Sequence, residues 1–70
     1  MPAAATRVNI RGELEAILSQ LECVRETLER VLVDLDYTDM DGTWWDVNEA
    51  KNKIEEIMGR IGAVIRELEG

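Results

Sequence analysis

Histidine and phenylalanine are missing from this sequence, and cysteine occurs once, at Cys23. A lone cysteine excludes an internal disulfide, and without histidine a zinc site of the Cys/His kind has no ligand set. General acid–base chemistry would fall to carboxylates alone. No apolar run approaches the ~20 residues a membrane span requires. The opening Met1-Pro-Ala-Ala-Ala-Thr6 lacks the charged and apolar regions of a secretory signal, so the cytoplasm is the expected compartment. Bases are scarce too: 8 stand against 15 acids, a net charge of −7. That balance argues against direct binding to nucleic acid or anionic lipid, because phosphate contacts need clustered Lys and Arg.

The chain is one small domain of 70 residues. A fold of this size buries only roughly 60% of the surface its unfolded form exposes, and needs regular helix packing, a staple or self-association to be stable. With staples excluded, packing and association remain.

Apolar residues recur at Ile10, Leu14, Ile17, Leu21, Val24, Leu28, Val31 and Leu35, in steps that alternate between four and three. The mean spacing of about 3.5 residues is that of a helix-bundle seam, not of a strand. Leu14, Leu21, Leu28 and Leu35 fall at heptad position a, and Ile10, Ile17, Val24 and Val31 at d. Leu18 and Leu32 widen the stripe at e. The device repeats with Val47, Ala50, Ile54, Ile57, Ile61, Val64 and Leu68, which Met58 and Ile65 extend at e. A stripe of a, d and e suits a bundle core more than a two-stranded coiled coil.

The expected fold is therefore all-α: an antiparallel helical hairpin with helices over about 9–36 and 45–68 and a turn over 37–44. Residues 1–8 are expected to form a flexible segment ahead of a single domain over 9–70. Gly12 could delay the first helix by a turn. Thr6-Arg-Val-Asn-Ile-Arg11 alternates like a strand and resembles the opening of ribbon-helix-helix repressors. The heptad run continues to Leu35, however, and leaves no place for the turn that such proteins need.

Between the helices lies Tyr37-Thr-Asp-Met-Asp-Gly-Thr-Trp-Trp45, rich in turn formers, with Gly42 available for a positive φ. Asp46-Val-Asn-Glu49 has capping-box spacing, and Thr43 is a rival N-cap. A short connection makes the helices antiparallel neighbours. Two helices pairing once would leave one side of the stripe wet, and docking two hairpins into a four-helix bundle would cover it. A homodimer is thus expected. Its self-association core would comprise the a and d residues Ile10, Leu14, Ile17, Leu21, Val24, Leu28, Val31, Leu35, Val47, Ile54, Ile57, Ile61, Val64 and Leu68.

Asp34, Asp36, Asp39, Asp41, Asp46 and Glu49 form an acidic run with no intervening base. Within it, Trp44 and Trp45 are about 100° apart on a helix, so both cannot face one core. One is expected to pack under the turn and the other to stay exposed, and Trp is enriched among binding hot spots. Asp36, Asp39, Met40, Asp41, Trp44, Trp45 and Asp46 are the candidate partner surface. The expected partner is another protein, a basic one being the match in charge.

Other motifs carry less. Aligned on Gly42, a calcium loop would place Asp39 and Asp41 at its third and fifth ligand positions. Tyr37 would then stand first and Asn48 twelfth, where a bidentate Glu belongs, so a plain acidic turn is the better reading. Cys23, at position c, has no neighbour to activate it. Gly59, Gly62 and Ala63 leave a small patch on the back of the second helix, open to close approach or merely unoptimised. No catalytic, metal or cofactor residues are assigned. The expected function is a non-enzymatic protein–protein interaction module. The alternative is a small acidic inhibitor, of phage or mobile-element type, that mimics DNA in a basic groove.

Overall fold

The computed structural model describes the backbone of residues 2–69 and the side chains of residues 5–69. Two helices, α1 (Pro2–Leu35) and α2 (Asp41–Glu69), pack against each other as a hairpin. At ~1.5 Å per residue they are about 51 and 44 Å long. The hairpin is a rod with extents of 59 × 15 × 12 Å. No described helix is long and apolar enough to cross a membrane.

Both helices begin earlier than the pattern of apolar residues indicates. α1 starts at Pro2 rather than near Asn9; of the segment expected to be flexible, Met1 lies outside the described residues, as does Gly70 at the other end. Proline suits the first helical position, where its missing N–H has no partner to lose, and Ala3, Ala4 and Ala5 are the strongest helix formers. Gly12 and the strand-like Thr6–Arg11 lie inside the helix.

α2 starts at Asp41, so Gly42 is helical and has no positive φ. Thr43 and Asp46 also lie within α2, and neither is its N-cap. The turn is tightened by i→i−3 bonds, in which Tyr37 N–H donates to Asp34 C=O at 3.2 Å and Thr38 N–H to Leu35 C=O at 3.0 Å. Thr38 then supplies the cap by another route. Its Oγ1 donates to Leu35 C=O at 2.8 Å and accepts from Met40 N–H at 3.1 Å. Met40 C=O accepts the first bond of α2 from Trp44 N–H at 3.0 Å. One hydroxyl thus closes the end of α1 and opens α2, satisfying groups that helix termini leave unpaired.

The hairpin seam uses rows a and e. The half-buried or buried residues of α1 are Arg11, Leu14, Leu18, Leu21, Arg25, Leu28, Leu32 and Leu35. Counted outward from the turn, they match Trp44, Val47, Lys51, Ile54, Met58, Ile61, Ile65 and Leu68 of α2 in spacing, one for one; Asn48, Gly62 and Ala63 of α2 are half-buried outside those rows. This order sets Leu21 level with Met58. Among the described residues only Leu32 and Ile65, at 7% and 9% exposure, are buried. A hairpin with two buried side chains has almost no core, and its burial gain is small against the entropy of ordering the chain.

Candidate functional site

The d rows are what the seam leaves out. Ile10, Ile17, Val24 and Val31 of α1 and Ile57 and Val64 of α2 are all between 38% and 45% exposed, and Ala50 is exposed beside them. Position d lies about 80° around the helix from the middle of an a/e seam. Reversing the chain direction mirrors the wheel about that seam, so in an antiparallel hairpin both d rows emerge on the same broad face. The opposite face carries the b row, in which Glu15, Glu22, Glu29, Asp36, Glu55 and Glu69 stand with Val8, Asn48 and Gly62. The hairpin is therefore apolar in front and acidic behind. The a and d residues expected to form one core are split between the hairpin seam and this open face.

The seam itself is not wholly apolar. Arg11, Arg25 and Lys51 occupy e positions half-buried, a feature that apolar periodicity does not signal because these members of the row are charged. Arg25 Nε lies 3.6 Å from Glu29 Oε1, an ion pair too long for a hydrogen bond, and the Nε is left unpaired in a buried position. The remaining ion pairs, Arg11–Glu15, Lys53–Glu49 and Arg60–Glu56, also run i to i+4 along one helix. Among the described residues none joins the two helices. Exposed pairs of this kind add little to stability.

At the turn end, Asp34, Asp36, Asp39, Asp41, Asp46 and Glu49 are all exposed. Glu49 is paired with Lys53 at 3.5 Å; the five aspartates have no ion-pair partner among the described residues. Asp41 and Asp46 suit the positive end of the α2 dipole, but Asp34 and Asp36 crowd the negative end of α1, where helix energetics disfavours acids. The nine acids elsewhere face eight bases, so one end of the rod holds six of the seven net negative charges.

Trp44 is half-buried at the seam position nearest the turn, with its Nε1–H buried and unpaired. Trp45 is 64% exposed. Their rings meet edge to face, 5.0 Å between centroids. Met40 and Tyr37 are exposed around them, Tyr37 at 87%. The structure thus brings Asp36, Asp39, Met40, Asp41, Trp44, Trp45 and Asp46 to one end of the molecule, with Trp44 turned into the seam and the others outward. With Gly42 helical, the calcium-loop alignment fails, and no three potential metal ligands converge among the described residues. Cys23 is a free, exposed thiol. A shallow depression beside Glu26, Glu29, Arg30 and Val33 lies along α1 and draws on no second element.

The chain matches no protein-family model, no curated protein and no solved structure.

Proposed function

We propose that this chain is a non-enzymatic interaction module, a hairpin that closes a four-helix bundle with a second copy and presents its acidic, Trp-containing turn to another protein. The observation that carries the reading is the shared d face. Six large aliphatic side chains on one side of a rod with two buried residues is half of a core. The face runs from Ile10 to Val31, about 32 Å, across two helices each ~10 Å wide. Its roughly 600 Å² approaches the ~800 Å² per partner of a standard stable interface. The turn end has the composition of a docking surface: exposed Trp45, Met40 and Tyr37 among acids, two of which, Asp34 and Asp36, oppose the dipole of the helix they terminate.

Light scattering across a concentration range tests the self-association. The expected mass is twice that of one chain, and the Ile17→Glu, Ile57→Glu double variant is expected to be monomeric. A wild-type chain that stays monomeric at tens to hundreds of micromolar would overturn this part of the reading and assign the face to a different protein.

A second reading is favoured by the five unpaired aspartates. They make the turn end a candidate mimic of a nucleic-acid backbone, bound in the basic groove of a nucleic-acid-binding target. In that case the Asp36→Asn, Asp39→Asn, Asp41→Asn, Asp46→Asn variant loses binding, and binding of the wild type weakens steeply with salt. If binding instead depends on Trp45 and varies little with salt, the aromatic surface is the anchor.

A further inference from the structure

We infer that the two hairpins dock with their turns at opposite ends of the bundle, so that the dimer is a bivalent rod with an acidic, aromatic tip at each end; this rests on the self-association proposed above. The apolar face alone does not choose a direction. With turns together, α1 lies over the second copy's α2, and the layers are Val31 with Ala50, Val24 with Ile57 and Ile17 with Val64. With turns opposed, each helix lies over its own equivalent. The layers become Ile10 with Val31, Ile17 with Val24, Ala50 with Val64 and Ile57 with itself. The two-fold axis then passes between Gln20 and Leu21 on α1 and at Ile57 on α2. Because the seam sets Leu21 level with Met58, those points coincide along the rod to within about 2 Å at ~1.5 Å per residue. Both arrangements also make every neighbouring helix antiparallel.

Charge separates them. With turns together, the two sets of six acids from Asp34 to Glu49 would lie within one bundle width, roughly 20 Å. With turns opposed they are separated by most of the 59 Å length of the rod, many Debye lengths at ~8 Å each in physiological salt. Each acidic tip then lies beside the open end of the other hairpin. There Arg7, Arg11 and Arg66 stand against Glu13, Glu15, Glu67 and Glu69, a net charge of −1 against −6 at the tip. The same register brings Asp34 level with the second copy's Arg7. The back of the rod, with its b-row glutamates, stays in solvent in either case, and the d rows themselves carry no charge that could oppose the match.

The test uses the full chain with Cys23→Ser and Tyr37→Cys, which leaves one thiol at an 87% exposed turn position for a spin label. Light scattering on the labelled chain is run alongside a dipolar distance measurement. A dimer with a label separation of roughly 50 Å is expected, since residue 37 stands about 16 residues from the two-fold axis at ~1.5 Å per residue. A dimer with labels within about 25 Å would overturn the opposed arrangement and leave the self-association standing. A monomeric mass with no dipolar signal would overturn both.

Discussion

The rings of Trp44 and Trp45 meet at 82° with centroids 5.0 Å apart, although the two residues are adjacent in the chain and point in different directions from α2. Edge-to-face contact of this kind contributes about 0.5–1.5 kcal/mol beyond burial. It also ties an exposed ring to one held in the seam, so the outer ring is presented in a set orientation at little further entropy cost. The division of labour predicts different outcomes for the two alanine changes. Trp44→Ala is expected to lower stability by about 2 kcal/mol, less than a fully buried Trp would cost. Trp45→Ala removes only the ring contact, so it is expected to lower stability by about 0.5–1.5 kcal/mol, less than Trp44→Ala, and to weaken partner binding while the dimer persists. Thermal melts and light scattering on both variants check this. Equal destabilisation by the two changes would make the pair a plug for the end of the seam.

Leu32 and Val24 lie about two turns apart on α1 and on different surfaces. Leu32→Ala removes one of the two buried side chains and is expected to cost about 2–4 kcal/mol, enough to unfold much of so small a protein. Val24→Ala acts on the open face and is expected to act through association. Its melting temperature should fall most at low protein concentration, where mass action supports the dimer least. Circular dichroism melts over a hundredfold concentration range distinguish the two.

Thr38 holds both sides of the turn through one hydroxyl. Thr38→Ala loses both hydrogen bonds and is expected to cost about 1 kcal/mol, or roughly 4–8 °C in melting temperature for a domain of this size. Thr38→Ser keeps the hydroxyl and should recover most of the loss. A chemical-denaturation midpoint is the simplest readout.

Gly12 and Gly59 lie within helices, and a Cβ at either would meet nothing within 4 Å. Gly12→Ala and Gly59→Ala are each expected to raise stability by up to about 1 kcal/mol, the propensity difference in a helix interior. At Gly62 an added Cβ would meet only the end of the Arg66 side chain at 3.8 Å. If Gly59→Ala stabilises the chain and at the same time weakens partner binding, the small-residue patch on α2 is itself a contact surface.

Much of the architecture can be read from local chemistry. Eight apolar residues from Ile10 to Leu35 at alternating steps of four and three admit a helix and no strand, and the turn formers from Tyr37 onward end it. The acidic run is equally plain, as is the conflict between two adjacent tryptophans and a single core. Helix starts were less legible. They depend on Pro2, three alanines and the hydroxyl of Thr38, none of which contributes to apolar periodicity.

The rotation of the seam belongs to the tertiary structure. A stripe of a, d and e is wider than two helices can cover with a single contact, and periodicity within one helix cannot say which edge will face its neighbour. That choice is made jointly by both helices. Here it fell on a and e, although this brings Arg11, Arg25 and Lys51 into the seam, and it leaves the wholly uncharged d rows on one open face. Local sequence thus determined two helices, their turn and an acidic end. Only packing decided which half of the apolar stripe was closed within the hairpin and which half was left open, because a helix pair buries one direction at a time.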